Sequence, residues 1–588
     1  MRKVSLLVLA VVLQSLPVSV LASRTVEIQP GQLQHMFDVY HLTEETDLKI
    51  KGKINGSDIN VIRNWTNIQK SLDLSECRIV AGGDPYYKDY TTEDDVIGPY
   101  MFSEHMFKTL VMPNTLKRIE EHAFKYCGDS IVLPPTLERI GDYAFESTGK
   151  YISFPSSLAW IGDFAFANNS LEEINLPASL VHIGNCAFNG WPLIRKATVD
   201  DANPEFVVED GYLYTRDHTR LLSYFAPERG GWAECFTLHP EVKVVDDMAF
   251  NCARAYNIKL NDKLEHIGEE AFRYVMKDMF PHDKPVKLVI PNSVTYIGVN
   301  AFQECMIDTL ILSDNLEYLP DHAFESCRIQ HIHLPAKLKH IGVFALGDNF
   351  LYNLVLPDGL ETIEEYGLWR CGGRKLVIPE SVSRIDEFAL ANCPSDTIEI
   401  LAPLESISDN AFRECSYLTK LTLPPTVKRI GSYAFYRSSL TDCKLPNRLE
   451  EIGSYALTGA MFMEEWHIPA SVRKIEGAAF QSPFFAHTVY MYSSEPPADT
   501  DPDAFYDWPM VDCTLYVPEG CTERYQQTAP WNTFGTIREF QASGVNSITR
   551  TLDDVEQRSY DISGRPISDG QRSLRIVVTK HGVKKVFK

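Results

Sequence analysis

Two residue patterns in this chain could do chemistry. His331 and His333 lie one residue apart on a run that alternates like a strand. Both imidazoles would project to the same side, where they could share a metal ion. No third ligand has suitable spacing, so the pair reads as part of a solvated strand face. Cys127, Cys305, Cys327, Cys371, Cys393 and Cys415 all stand three residues after the Phe or Leu of a recurring phrase, and Cys252 stands one residue earlier. Shared placement of this kind reads as a stacked column of buried free thiols, each packing as a small hydrophobe. Cys513 and Cys521 flank a possible hairpin and are the pair best placed for a disulfide. The acidic clusters Thr92–Asp95 and Asp499–Asp503 lack calcium-loop spacing and read as solvated loops. There is no nucleophile elbow, phosphate-binding loop, zincin pair or dinucleotide fingerprint. The expectation is a chain that is not an enzyme and needs no cofactor or metal.

What must position these residues is a repeat. The phrase Leu-Pro-x-x-Leu-x-x-Ile-Gly-x-x-Ala-Phe-x-x-Cys recurs along most of the chain. Its Ile position falls at Ile97, Ile119, Ile140, Ile161 and Ile183, then at Val245 and Ile267, then from Ile297 to Ile475 in steps of 22 or 23 residues. A period in this range marks a solenoid, in which each unit buries its apolar face only against its neighbours. Within the unit at Leu418 to Phe435, Leu421-Thr422-Leu423 suits a short strand with one buried face. Pro424 ends that strand, because proline cannot donate to a ladder. Val427 and Ile430 return to the core, and Gly431 permits either a positive φ or a close backbone approach. Ala434-Phe435 is expected on a short helical or 3₁₀ turn, with Phe435 filling the interior.

The array is interrupted twice. The step from Ile183 to Val245 is 62 residues and contains Asp210-Gly211 between β-rich runs, a hairpin signal. The step from Ile267 to Ile297 is 30 and contains the loop-like stretch Lys277 to Lys284. The expected organisation is a signal peptide at 1–23, an N-terminal capping segment at 24–96 and the array at 97–480, with insertions near 190–235 and 273–287. A C-terminal capping segment at 481–540 and a linker with a small β-module at 541–588 complete it. The signal assignment rests on basic Arg2 and Lys3, the apolar run Val4 to Leu13 and small residues around Ala22. Leu48–Gly52 and Leu72–Ser75 read as degenerate repeat strands within the N-terminal cap.

Bulk properties narrow the partners. Apolar content of 44% argues against disorder, and a net charge of -23 disfavours nucleic acid and anionic membranes. After the first residues no apolar run is long enough for an integral membrane segment. The strand residues that flank each central apolar position should face solvent, and this column is the candidate ligand surface. It contains Glu173, Asn175, Asn257, Lys259, His331 and His333, and further along Lys420, Thr422, Asp442, Lys444, Glu465 and His467. The apolar members Ile311, Val355 and Val377 interrupt it without forming an obvious anchor.

The repeated phrase resembles that of the BspA-like bacterial surface leucine-rich repeat family over residues 97–480. Leu515 to Gly520, Tyr525, Pro530-Trp531 and Phe534 resemble the segment that closes such arrays. The resemblance implies an α/β to mostly β, right-handed leucine-rich-repeat solenoid, with a parallel sheet on one face and short helical or 3₁₀ turns on the other. It also implies a secreted or cell-surface protein that adheres to protein or glycan ligands, host matrix proteins among them. Tyr560 to Arg565, Leu574 to Val578 and Gly582 to Lys588 resemble a type IX secretion sorting domain, with departures at Pro566 and Ser573 to Ile576. The expected function is therefore an exported, non-enzymatic adhesin. The alternatives are a structural envelope protein without a tight ligand and a surface enzyme acting on carbohydrate or peptide.

Overall fold

The structure, a computed structural model, describes residues 24–541 except 66–69, 129–130, 150–151, 190–193, 226–232, 251–252, 277–284, 352, 460–462 and 482–486. Backbone strands are also described within 559–587. The signal segment, Cys252 and the Lys277 to Lys284 stretch lie outside the described residues.

The chain winds as the expected repeat solenoid, built from parallel strands with few helices. The Leu-x-Leu strands stack in register from coil to coil: Thr309–Ile311 pairs with His331–His333, and Lys375–Ile378 with Thr397–Ile400. A second parallel ladder, which the pattern did not reveal, runs through the dipeptides that end at the repeat Ile. Tyr318–Leu319, His340–Ile341, Thr362–Ile363 and Arg384–Ile385 form one stretch of it. Two-residue strands carry too little alternation to be read from sequence.

The third side of the coil is made of turns. Hydrogen bonds there span three residues, as in a 3₁₀ turn: the Ala434, Tyr436 and Ser438 amides donate to the Gly431, Tyr433 and Phe435 carbonyls. No helix propagates, because the intervening residues Tyr433 and Arg437 have φ of 58°. The freed amides of Tyr433, Phe435 and Arg437 donate instead to Ser454, Ala456 and Thr458 of the next coil, at 2.7–2.9 Å. All three sides of the coil are thus hydrogen-bonded to the neighbouring coil. The positive φ falls on Tyr433, not on Gly431. Gly431 is required by close approach instead, since a Cβ there would lie within 2.8 Å of the Asp409 amide and the Ile407 carbonyl.

Interior Phe rings stack along the axis. Phe102, Phe124, Phe145, Phe166 and Phe188 succeed one another at 5.2–5.6 Å between centroids. The left-handed positions build a second, half-buried ladder outside, with Tyr100, His122, Tyr143 and Phe164 at 4.8–4.9 Å.

The described residues of the 190–235 insertion are built into the wall of the solenoid. Phe206–Glu209 and Tyr212–Thr215 form the expected hairpin, with Asp210 and Gly211 both at positive φ. Lys196–Val199 joins the first ladder beside Glu173–Leu176, and Arg220–Tyr224 joins the second beside Val244–Val245. The hairpin separates two apolar cores. Leu213 and Leu222 face the N-terminal core, and their neighbours Tyr214 and Leu221 face the C-terminal one.

At the N-terminal end, Asp47–Ile54 and Lys70–Ile79 contain the two degenerate repeat pieces and extend the first ladder to Arg24–Ile28. Helices Leu33–Tyr40 and Gly56–Trp65 accompany them. At the other end Thr514–Pro518 and Thr536–Phe540 close the ladder over buried Tyr525 and Trp531. Ser559–Tyr560, Leu574–Thr579 and Gly582–Phe587 form a separate antiparallel sheet.

Phe435 is fully buried and stacks on Phe412 at 5.4 Å. Phe435→Ala should destabilise the array by about 3–5 kcal/mol in chemical denaturation. A loss under about 1 kcal/mol would place this ring outside the energetic core.

Candidate functional site

The twelve polar residues of the sequence-derived column are all exposed on the outer side of the first ladder, whereas its apolar members Ile311 and Val377 are half-buried, and the column is spread along the array and is not one cluster. Much of its charge is satisfied between neighbouring strands. Lys196 Nζ lies 3.7 Å from Glu173 Oε2, and Lys420 Nζ lies 3.4 Å from Asp442 Oδ2. The Thr198 hydroxyl donates to Asn175 Oδ1, and the Asn257 carboxamide oxygen accepts from the Ile258 amide. His467 stacks on Tyr490 at 4.7 Å, with Glu465 and the Tyr492 hydroxyl at its ring nitrogens. Lys259, Thr422 and Lys444 stand on the same face. Exposed ion pairs of this type contribute about 0–1 kcal/mol each, so they shape the surface more than they hold it.

His331 and His333 share one face of their strand, next to Thr309 and Ile311. Among the described residues no group of three or more His, Cys, Asp or Glu side chains is placed to hold a metal ion.

Among the described residues the cysteine column is buried and unbridged, and Cys513 and Cys521, the pair best placed for a disulfide, are also free thiols on either side of a ladder strand and not of a hairpin. The thiols do more than fill space. Cys127, Cys327 and Cys371 donate at 2.7–2.9 Å to the carbonyls of Phe102, Phe302 and Leu346, each in the preceding coil. Where the position is not Cys, Thr148 donates to the Phe124 carbonyl and Asn349 to that of Phe324. A compact donor at this position can satisfy a buried carbonyl of the preceding coil, which accounts for the interchange of Cys, Thr and Asn, while Ala253 and Val275 show that a small apolar side chain also fits there.

Sequence reasoning missed one concave feature. A groove of about 1000 Å3 opens at the corner between the turn side and the first ladder. The corner position is Ile307, Ile329 and Leu351 in three successive coils and Leu418 and Leu440 later, all buried. In the two coils between, it is Gly373 and Ser395. Loss of two large side chains from one column leaves a notch. The Ser395 hydroxyl, buried beneath the groove, donates to the Gly373 carbonyl at 2.6 Å, which satisfies both. Gly372 is obligatory beside it, since a Cβ would meet Cys393 Sγ and Ser395 Oγ at 2.6 and 2.7 Å. Phe350 and Tyr417 line the groove while 56% and 68% exposed. Arg370 pairs with Asp348 at 2.6 Å, and Arg374 with Asp396 at 3.7 Å. The signal in the sequence was the paired break in the corner column, at Gly373 and Ser395.

A sequence profile described as "BspA type Leucine rich repeat region" matches residues 95–206, 233–279, 274–397 and 385–495, more than half of the chain. No curated relative matches. Among solved structures, a leucine-rich repeat protein from Eubacterium ventriosum is 21% identical over 69% of this chain and 92% of its own, with a TM-score of 0.44. One from Bacteroides ovatus is 18% identical over 78% and 90%, with a TM-score of 0.34. A leucine rich cell surface protein from Faecalibacterium prausnitzii is 17% identical over 58% and 96%, with a TM-score of 0.30.

Burial pushes the thiols of Cys127 and Cys305 from an ordinary value near 9 up to about 12. A raised folded-state value means that their contribution is complete below about pH 9 and is lost as pH climbs toward 12. The urea midpoint should therefore fall between pH 9 and 11, and less so in the double variant Cys127→Thr/Cys305→Thr. Equal alkaline sensitivity of that variant would remove the thiols from the explanation. Denaturing titration should find all thirteen thiols free, and a shortfall of two would reveal a bridge.

Proposed function

Since the chain belongs to the BspA-type leucine-rich repeat family, we propose that it is an exported, non-enzymatic surface protein that binds a protein or glycan ligand along its outer strand face. The observation that carries this reading is the division of labour within each coil. Interior side chains and backbone amides are committed to neighbouring coils, while among the described residues most outward strand positions, His331, His333, Lys420 and Thr422 included, stay exposed. Among the described residues no helix is long and apolar enough to cross a membrane. For the 541–588 module the reading is a sorting function, supported by its three antiparallel strands and its resemblance to type IX sorting domains.

The direct test applies the protein to immobilised fibronectin, fibrinogen, laminin, mucin and a glycan panel at two salt concentrations. Saturable binding to one ligand is expected, weakened at least tenfold when His331, His333 and Lys420 are all changed to Ala. Binding that instead fails on changing Glu205, Glu209 and Arg216 would move the ligand to the hairpin. Deleting 200–235 would not distinguish these outcomes, because that segment carries Phe206, Leu213 and Leu221 of the two cores. Absence of saturable binding at either salt would contradict the proposal.

A further inference from the structure

We propose that the corner groove over Gly373 and Ser395 is a binding site for a neutral oligosaccharide. The inference rests on the binding function proposed above and names the ligand class and the place.

The groove combines three features that suit a pyranose chain. The first is ring faces. Phe350 and Tyr417 stand exposed on its walls although neither is needed by the interior. Their coils are three steps apart, roughly 14 Å at the spacing of paired strands. A sugar offers an apolar C–H face to such rings and a rim of hydroxyls around it, and aromatic side chains with flanking polar groups match both.

The second feature is oriented hydrogen-bonding groups. Asp348 is held by Arg370 at 2.6 Å and by the Ser326 hydroxyl at 3.2 Å, so its carboxylate is fixed before any ligand arrives. Arg374 is 95% exposed and only loosely paired with Asp396, leaving most of its fork of donors turned to solvent. Together these groups offer both acceptors and donors to adjacent hydroxyls.

The third feature is charge balance. The lining has the arginines Arg328, Arg370 and Arg374 against Asp308, Asp348, Asp396 and Glu414. An acidic ligand would meet no cationic excess, and two of the four carboxylates, Asp348 and Asp396, are already engaged by Arg370 and Arg374. A neutral, hydroxyl-rich chain uses the groove as it stands. Gly373 contributes only backbone to the lining, and Ile307 and Leu351, which also line the groove, are buried, so the exposed apolar contacts concentrate on Phe350 and Tyr417.

The test is calorimetric titration of the full chain with gluco-, manno- and chito-oligosaccharides of two to six units. Oligogalacturonate, sialyllactose and a random heptapeptide mixture serve as the other probes. One neutral series should bind, with affinity rising with length until the chain spans both rings. Tyr417→Ala and Phe350→Ala should each weaken binding by about tenfold, while Tyr417→Phe retains it. Tyr506→Ala, at an exposed ring that does not line the groove, should leave it unchanged. The proposal is overturned if no neutral series saturates, if only the acidic glycans or peptides bind, or if binding survives both alanine changes. Saturable binding to a matrix protein with no response to neutral oligosaccharides would sink this site alone and leave the surface-binding function standing.

Discussion

Every coil of this solenoid must satisfy its backbone amides on the coil beside it, and the rest of the architecture answers to that constraint. Buried amides left unpaired would cost about 1–3 kcal/mol each. Two sides of the coil meet the requirement with parallel strands. The turn side meets it by alternation: one amide bonds three residues back, and the next reaches across to the neighbouring coil. That alternation forces non-glycine residues such as Tyr143, Tyr366 and Tyr433 into the left-handed region, at roughly 1–2 kcal/mol per residue. The cross-coil hydrogen bonds and the stacking of these rings offset the strain. Tyr366 lies 4.4 Å from Phe344 and 4.8 Å from Phe388.

The same constraint explains which repeat positions tolerate change. The position three residues after the interior Phe must be compact, and Cys, Thr or Asn there also donates to a carbonyl one coil away. The corner position needs only volume. Its loss at Gly373 and Ser395 leaves the backbone ladders intact on either side, with Lys375–Ile378 and Thr397–Ile400 still paired. A groove can therefore be carved into one corner without unravelling the coil. The 190–235 insertion follows the same logic. It enters the wall by supplying Lys196–Val199 to one ladder and Arg220–Tyr224 to the other, and its alternating side chains serve the core on either side.

The period, the interior Ile and Phe positions and the Asp210-Gly211 hairpin were legible in the sequence, because burial repeats at a fixed interval and hairpin turns have a characteristic residue pair. The second ladder was not, since a dipeptide strand has no periodicity to read. Nor was the left-handed position: the glycine of the motif drew attention to itself, yet Gly431 serves close approach and Tyr433 carries the positive φ. The cysteines were read as filler because hydrogen bonding from a thiol leaves no mark in a single sequence. For the surface, alternation correctly turned His331, His333 and Lys420 outward. It could not show that Lys420 and Asp442 face each other across the ladder, nor that two missing corner side chains in successive coils open onto one groove. Those facts depend on which coils lie side by side.

Amide hydrogen exchange on the turn side tests the central claim most directly. If the cross-coil bonds hold the array, the amides of Tyr433, Phe435 and Arg437 will exchange as slowly as those of the strand Lys420–Thr422, despite lying in a turn. Exchange at the rate of an exposed loop, while the strand amides stay protected, would contradict the account and reduce the turn side to a passive connection.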